Sequence, residues 1–219
     1  MNSSELLSLF RSEMVDEVEP FLWSDENIFG YEDDAQKMFC RNTDGIADAT
    51  TVAVTKIDVV PDNSWLNLHA SILKIRKVTR SDTGLTVELL NQEDMDLRNM
   101  HFDSTKGPVK ALITGMEGHK IRVWPISSET ISLLLTVFRL PLNKITDDGD
   151  QTFEVDEEHH RHLLMWCKHL AYMKQDAETF DKSKAKDFEE RFLMYCNKVR
   201  EEERRKRHKS RSITYGGIY

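Results

Sequence analysis

The segment DEEHHRHLLMWCKH, residues 156–169, is the part of the chain richest in side chains that could do chemistry. It holds four histidines and three carboxylates, which are His159, His160, His162, His169, Asp156, Glu157 and Glu158. On a helix, Glu158 and His162 share a face and could bind a metal ion, but at least one further ligand would be needed. His162 and His169 lie two turns apart, about 10 Å along a helix, which is too far for one ion. The pattern therefore favours histidines that face solvent or an interface.

Two acidic clusters are the next candidates for chemistry, EDD at 32–34 and DDGD at 147–150. Either could bind calcium or act as a general acid and base, but DDGD lacks the ligand spacing and the final glutamate of an EF-hand. Both are more typical of solvated loops and helix faces. The chain contains no GxSxG, HExxH, GxxxxGK[ST] or GxGxxG motif. We therefore expect no enzyme, no catalytic or metal-binding residue and no cofactor.

The cysteine pattern and the apolar runs exclude further classes of protein. Cys40, Cys167 and Cys196 are odd in number and form no CxxC motif, so neither a disulfide framework nor a zinc ribbon is expected. We expect reduced cysteines in a core. The longest apolar run, ISLLLTVF, is too short to cross a bilayer, and the N-terminus has no signal-peptide pattern. We expect no membrane partner.

Charge is distributed unevenly between the C-terminal tail and the rest of the chain. The formal net charge is -8, and residues 204–211 carry +6, so the remaining residues carry -14. The body of the protein should therefore repel phosphate, and only the tail should attract it. This asymmetry makes nucleic-acid binding by the body unfavourable, and it leaves binding through the basic segment as an alternative function.

The tail ends in ITYGGIY, which a merely solubilising basic segment does not need. Its apolar side chains provide anchors, and two glycines let the backbone turn between them. A peptide that docks on a partner has this form, because cations steer it and aromatic side chains anchor it. A disordered basic end and a nuclear import signal are alternative interpretations. The predicted docking residues are Arg204, Arg205, Arg207, Arg211, Ile213, Tyr215, Gly216, Gly217, Ile218 and Tyr219.

Apolar periodicity divides the chain into helical ends and a β-rich middle. One-turn spacing predicts helices over 3–18 and from Ser24, and two more over about 156–180 and up to about 206. The middle has short alternating segments rich in β-branched residues, which indicate six or seven antiparallel strands. We predict an α+β fold in which the helix pairs form a four-helix bundle, with an inserted antiparallel β module and an extended C-terminal arm. The predicted domains are 1–45 with 155–203 (bundle), 50–142 (β domain) and 204–219 (docking arm).

Several stretches, taken in order, resemble a known family. They are residues 9–48, including PFLWSD and DDAQ, then IRVWPIS, LLLTVFRLPL, and the closing helix pair followed by TYGGI. The chain resembles head-to-tail adaptor proteins of tailed bacteriophages of the short-tailed type, also called head-tail connector or head-completion proteins. The similarity spans most of the chain. The β insert is the part where we expect departures from relatives.

The resemblance implies a structural virion protein rather than an enzyme. Such proteins assemble below the portal protein after the genome is packaged, usually as a twelve-fold homo-oligomeric ring. They extend the DNA channel and form a platform for the tail nozzle or tail hub protein, and the β module would face the nozzle or the tail fibres. Genomic DNA passes through without specific binding. The resemblance assigns residues 204–219 to portal contact and places the protein at the head-tail interface of the virion, after synthesis in the host cytoplasm.

Three hypotheses follow from the sequence. The first is the ring adaptor, which uses the arm to bind the portal. The second is a nucleic-acid-binding protein that acts through residues 204–211 and whose affinity falls steeply with salt. The third is a hydrolase built on the histidine and acid cluster, which a bound metal or loss of activity in His162→Ala would support.

Overall fold

The computed structural model describes residues 1–97, 105–146, 150–175 and 179–207. The chain divides into two compact units. The helical unit comprises Met1–Thr43 and Ile145–Tyr219, and the β unit comprises Asp44–Lys144. Within the described ranges, no helix is both long enough and apolar enough to span a bilayer.

Four helices build the helical unit. They are α1 (Ser3–Met14), α2 (Asp25–Asn42), α5 (Glu157–Met173) and α6 (Lys182–Arg207). Ser24 caps α2 as predicted, since its hydroxyl accepts a hydrogen bond from the backbone of Asn27. Asn2 caps α1, in a reciprocal capping box with Glu5.

The central helix of this unit is α5, which packs against α1, α2 and α6. Its apolar stripe predicts this role, because Leu163 and Ala171 are fully buried and Leu164, Trp166 and Cys167 are nearly so. Side chains at one-turn spacing on the other three helices are also buried, among them Leu6, Phe10, Ile28, Ala35 and Phe192. Burial of these side chains provides most of the favourable free energy of the unit, at about 25 cal/mol per Å² of apolar surface.

Glu32 is an unexpected member of this core. It lies on the buried side of α2 and is 0% exposed, and neither of its carboxylate oxygens has a hydrogen-bond partner within the described residues. Burial raises the pKa of Glu32 to about 9. The carboxyl is therefore protonated near neutral pH, because ionisation in a core costs more free energy than ionisation in water.

The described residues of the β unit form eight strands and two short helices. The strands are β1 (Ile46–Asp48), β2 (Lys56–Val59), β3 (Trp65–Asn67), β4 (Ile72–Arg80), β5 (Thr86–Asn91), β6 (Ala111–Glu117), β7 (Lys120–Trp124) and β8 (Ile131–Arg139), and the helices are α3 (Val52–Thr55) and α4 (Gln92–Leu97). The order in the sheet is β1-β8-β4-β5-β6-β7-β3, with β2 also paired to β8. All pairs are antiparallel except β5 with β6, which is parallel. The sheet is thus mixed, and it curls.

Alternation along β8 shows where the main core of the β unit lies. Ile131, Leu133, Leu135 and Val137 are buried at every second position, as a strand with one face on a core requires. Part of the sheet is covered on the other side as well. Met95 of α4 is 0% exposed and packs with a second, smaller cluster that includes Ala111 and Ile113 of β6.

The predicted architecture of a four-helix bundle with a small antiparallel insert is wrong. In the helical unit the helices are unequal, from 12 residues in α1 to 26 in α6, and they pack around α5. The described part of the β unit is a large mixed sheet of eight strands, and it includes a strand, Ile46–Asp48, that precedes the predicted β domain 50–142. Between β5 and β6 the chain passes through α4, so β6 enters the sheet in the same direction as β5.

A buried ion pair joins β1 to β8. The Arg139 guanidinium donates to Asp48 at 2.6 Å, and both side chains are nearly fully buried. The other carboxylate oxygen of Asp48 accepts backbone hydrogen bonds from Thr50 and Thr51. Burial alone would raise the pKa of Asp48, but the hydrogen bonds from Thr51, Arg139 and Thr50 hold the pKa well below its usual value. The ionised pair therefore stabilises the folded state above the ordinary pKa of an aspartate, and this stabilisation is lost as the pH falls.

We expect Asp48→Ala to lower the free energy of unfolding by about 3–5 kcal/mol, because Arg139 would stay buried without this carboxylate. Urea denaturation at pH 7 measures the change. Asp48→Asn is the matched control, since it removes the charge and keeps an oxygen for Thr50 and Thr51, so its loss should be smaller. The difference in the free energy of unfolding between wild type and Asp48→Ala should shrink below about pH 4. Equal stability of wild type and Asp48→Ala would contradict this role.

We expect Glu32→Gln to stabilise the protein, and increasingly so at higher pH. Because the pKa of Glu32 is raised on folding, the wild-type chain loses stability as the pH rises from the ordinary glutamate pKa to about 9. The slope is at most about 1.4 kcal/mol per pH unit. Denaturant unfolding at pH 5 and pH 8 measures the effect, with the exposed Glu26→Gln of the same helix as control. A gain that is the same at both pH values would refute it.

Candidate interaction site at the end of the C-terminal helix

The last helix, α6, begins at a defined cap and continues past the core of its unit. The Asp181 carboxylate accepts backbone hydrogen bonds from Lys184 and Ser183, which lower the pKa of Asp181. Ala185, Phe192, Cys196 and Val199 are buried at helical spacing. After Val199 no described residue of α6 is buried. The last two turns therefore project from the core.

These last turns carry the first part of the predicted docking arm. Arg204, Arg205 and Lys206 are exposed, and their ion pairs are the weak, solvated kind, such as Arg205 with Glu201 at 3.9 Å. The helix continues to Arg207, so residues 204–207 of the predicted docking arm are helical. The remaining predicted docking residues lie outside the described residues, and their role stays a prediction. They are Arg211, Ile213, Tyr215, Gly216, Gly217, Ile218 and Tyr219.

Tyr195 organises part of the histidine cluster next to this projecting end. Its ring stacks on His162 with centroids 3.6 Å apart, and its hydroxyl is 2.9 Å from Nδ1 of His159. Phe39 of α2 adds a third aromatic contact, at 4.7 Å between its centroid and that of His159. These contacts join α2, α5 and α6. The cluster is thus part of the packing between helices.

Burial shifts the pKa values of this cluster. It lowers the pKa of both His159 and His162, so both imidazoles are neutral near pH 7. It also raises the pKa of Tyr195 to about 12. The Nδ1 atom of His162 is buried and has no hydrogen-bond partner in the part of the chain that the structure describes. A second proton on that ring would therefore be poorly solvated.

The other two histidines of the segment are also used in packing. His160 is 2.8 Å from the carbonyl oxygen of Val155, and His169 is 2.9 Å from that of Ala185. His159 and His160 are buried, so the expectation that most of this segment faces solvent is wrong for them. The sequence does not reveal the burial of His159, because its partners Phe39 and Tyr195 come from distant parts of the chain.

One arrangement at the start of α5 has the composition of a metal site. The ligand atoms of Asp156, Glu158 and His159 lie within 4.8 Å of one another. They include Glu158 but not its predicted partner His162. Asp156 and Glu158 are exposed, and structural zinc sites use four protein ligands. The three residues are therefore an incomplete set for a structural metal.

The acidic cluster EDD has structural partners instead of a common ligand. Asp33 accepts the backbone N–H of Ile145 at 3.1 Å, and Asp34 accepts the indole N–H of Trp166 at 2.7 Å. Glu32 is buried separately, as described above. The interpretation of this run as a solvated helix face is therefore wrong for Glu32 and Asp33, which are buried. Most of DDGD lies outside the described residues.

The three cysteines are buried and form no disulfide within the described residues, which agrees with the prediction of core cysteines. Cys167 shows the effect of its surroundings most clearly, since burial, and secondly the nearby Glu32, raise the pKa of its thiol well above the usual value. A thiol held in its protonated form is a poor nucleophile and a poor metal ligand. Cys167 is therefore a packing residue.

Comparison with known families identifies the class of protein. A family model described as SU10 adaptor protein matches residues 1–213. The chain is accordingly a structural protein of the phage head-tail region, which confirms the resemblance to head-to-tail adaptors. It belongs to the SU10 adaptor protein family. The matched range includes the whole basic segment, whereas residues 214–219 lie beyond it. Comparison with curated proteins finds no match.

We expect His162→Phe to make the protein less sensitive to acid. Because the pKa of His162 is lowered on folding, the wild-type chain loses stability as the pH falls below about 6.5. Phenylalanine can keep the stacking on Tyr195 and cannot be protonated. The measurement is thermal unfolding between pH 7.5 and pH 5.5. His162→Ala is the control. It cannot be protonated either, and it should be less stable than His162→Phe by about 0.5–1.5 kcal/mol at every pH because it lacks the ring contact. A Phe variant as acid-sensitive as wild type would contradict this assignment.

Proposed function

We propose that this protein forms a homo-oligomeric ring below the portal protein after DNA packaging. The ring extends the DNA channel and provides the platform on which the tail nozzle attaches. The observation that carries this proposal is the family match over residues 1–213. Membership of a structural adaptor family implies contact with the portal on one side and with the tail on the other. A twelve-fold ring is the expected stoichiometry.

The charge of the chain supports a channel function. Outside residues 204–211 the net charge is -14. A wall of this sign repels the phosphate backbone, so DNA passes along it without binding. Exposed ion pairs along α6, such as Lys186 with Glu190 and Arg191 with Asp187, give this helix a surface of both signs. Such a surface suits lateral contact between neighbouring copies.

The portal contact is assigned to the end of α6 and the arm that follows it. Arg204 and Arg205 are exposed on turns that no core residue covers. In this proposal the arginines 204, 205, 207 and 211 attract an acidic portal surface. The apolar side chains that follow, Ile213, Tyr215, Ile218 and Tyr219, then fill a crevice, and Gly216 and Gly217 allow the backbone to turn between them.

The tail contact is assigned to the β unit. A cleft of about 500 Å³ lies between the first half of β4 and strands β5, β6 and β7. It exists because β4 pairs with β5 only near Val78 and Thr79, so the earlier residues of β4 lack this neighbour. Its lining includes Ile72, Ile75 and Leu89 beside charged side chains. In this proposal a segment of the nozzle, tail hub or tail fibre protein binds there.

The exposed cations Arg204, Arg205 and Lys206 also suit a second function, binding of nucleic acid through the basic segment. The two functions differ in their dependence on salt. Binding to phosphates weakens steeply as salt rises, because counterions are released from DNA. An anchored protein contact depends less on salt, since aromatic burial is not screened. Affinities for DNA and for portal at two salt concentrations therefore distinguish them.

We expect removal of residues 208–219 to abolish portal binding and to leave the fold intact, because no core residue of the described chain lies beyond Val199. Circular dichroism checks the fold, and surface plasmon resonance on immobilised portal checks binding. The variant Tyr215→Ala with Tyr219→Ala should raise the dissociation rate. By contrast, Arg204→Ala with Arg205→Ala should lower the association rate and its salt dependence. Normal portal binding by the truncated chain would refute the assignment of the arm.

A further inference from the structure

The connector between α1 and α2, residues 15–22, exposes apolar side chains that a monomer does not need there. Val15 is 88% exposed and Val18 is 80% exposed, and Phe21 and Leu22 are also exposed. Single apolar residues on a surface are normal, but four within eight residues form a patch. An exposed apolar patch on an ordered loop is typical of a binding surface.

A buried ion pair holds this connector in one conformation. The carboxylate of Asp16 accepts a hydrogen bond from Arg11 at 2.8 Å and one from the backbone of Leu22 at 2.8 Å. Arg11 also bonds to Asp25 and to the carbonyl oxygen of Trp23, and its guanidinium lies 3.7 Å from the ring centroid of Phe21. Asp16 and Arg11 are both nearly fully buried. The connector is therefore fixed before it meets a partner, which reduces the entropy lost on binding.

The backbone at Val15 is strained. Its φ of 57° lies in the left-handed region, which a β-branched residue rarely adopts. Strain of this kind persists only where surrounding contacts impose it, and it occurs often at binding sites. Here the backbone N–H groups of Val15 and Asp16 donate to the carbonyl oxygens at the end of α1, and the Arg11–Asp16 ion pair spans Val15. The strained residue is also the most exposed apolar residue of the connector.

The connector is acidic as well as apolar. Glu17 and Glu19 are exposed, and neither forms an ion pair with any described residue. Its partner should therefore offer apolar side chains together with cations.

The helical unit itself contains a groove with this chemistry. The groove has a volume of about 250 Å³ and lies over α5, between α1 and α6. Leu164, Met165 and Phe188 contribute apolar side chains to its lining. The charged lining residues are three cations, Arg161, Lys168 and Arg191, and one anion, Glu13.

The two arginines of the groove can bind further carboxylates. Their side chains are 74% (Arg161) and 60% (Arg191) exposed, although each lies near an acid of its own chain, Glu13 at 3.7 Å and Asp187 at 2.8 Å. A guanidinium has five N–H donors, so one surface ion pair leaves donors free for a second carboxylate. Glu17 and Glu19 of another molecule carry the opposite charge to these two arginines.

We propose that the connector of one copy binds in the groove of the next copy, and that this contact joins neighbours in the ring. Val15 and Val18 pack on Met165 and Phe188, while Glu17 and Glu19 pair with Arg161 and Arg191. The contact is heterologous, since two different surfaces of the same chain meet, and such contacts generate rings when the rotation closes. This inference rests on the proposed ring. The occupant is a second copy because a single chain carries both complementary surfaces.

A charge-swap experiment on the full-length chain tests the contact. One variant carries Glu17→Lys with Glu19→Lys, and the other carries Arg161→Glu with Arg191→Glu. Each alone should associate with itself at least about tenfold more weakly than wild type, because like charges would face each other. A mixture of the two should recover association, since each connector then meets a groove of opposite charge. Sedimentation velocity and native mass spectrometry measure these assemblies.

The controls carry equal charge changes outside both surfaces, on exposed residues of the β unit. They are Glu93→Lys with Asp96→Lys, and Arg76→Glu with Lys77→Glu. Wild-type-like association of the controls, together with recovery in the mixture, supports the contact. Variants that associate like wild type, or a mixture that does not recover, overturn it. If one of the charge-swap variants does not fold, the cysteine crosslink decides whether the contact exists.

A cysteine crosslink tests the geometry independently. The native cysteines are buried, so Val18→Cys with Met165→Cys places the reactive thiols at the proposed contact. A short bismaleimide should link this variant into a ladder of covalent oligomers, either when the protein is alone at high concentration or when it is bound to the portal. A product that stops at the dimer, or no product in a portal complex that does form, overturns the inference and leaves the proposed function standing. An acidic partner segment in the groove would also prevent the ladder. Failure of wild type to bind portal instead contradicts the proposed function.

Discussion

The burial of α5 among three other helices is the interaction on which the helical unit depends. Because α1, α2 and α6 all pack against this helix, its apolar stripe fixes where each of them lies. The placement of α6 determines that its basic last turns extend beyond the core. The separation of α1 from α6 leaves the groove open over α5. Both surfaces proposed for this unit are therefore consequences of how one helix is buried.

Long periodic elements and the basic end could be predicted from sequence, whereas contacts between distant residues could not. Ser24 and the apolar spacing along α2, α5 and α6 indicate helices, because these signals are local. The parallel pairing of β5 with β6 depends on the path through α4, and QEDMDL shows only one apolar residue that is buried there, Met95. The burial of His159 depends on Phe39 and Tyr195, which are far away in the sequence. The exposure of Val15 and Val18 could not be predicted either, because it depends on how Arg11 and Asp16 hold the connector.

The described residues include several buried ionisable side chains, and these differ in their effect on folding. Asp48 is matched by Arg139 and by backbone donors, so its burial is compensated. Glu32 has no such partner among the described residues, and it keeps its proton instead. The first arrangement stabilises the sheet when ionised, and the second weakens the helical core as the pH rises. These two carboxyl groups therefore respond to pH in opposite directions.

A chain that works in a ring need not reach its greatest stability alone. The strained φ of Val15, the exposed apolar connector and the unpaired carboxyl of Glu32 each reduce the stability of an isolated molecule. Anything that binds the folded state raises its stability by mass action, and neighbours in a ring do so at several surfaces. Val15 and the other apolar residues of the connector lie at the surface, whereas Glu32 is buried. Assembly can therefore cover the apolar side chains of the connector, but it cannot relieve the burial of Glu32. This distinction separates the connector, which we interpret as a binding surface, from Glu32, which remains a local cost of the core.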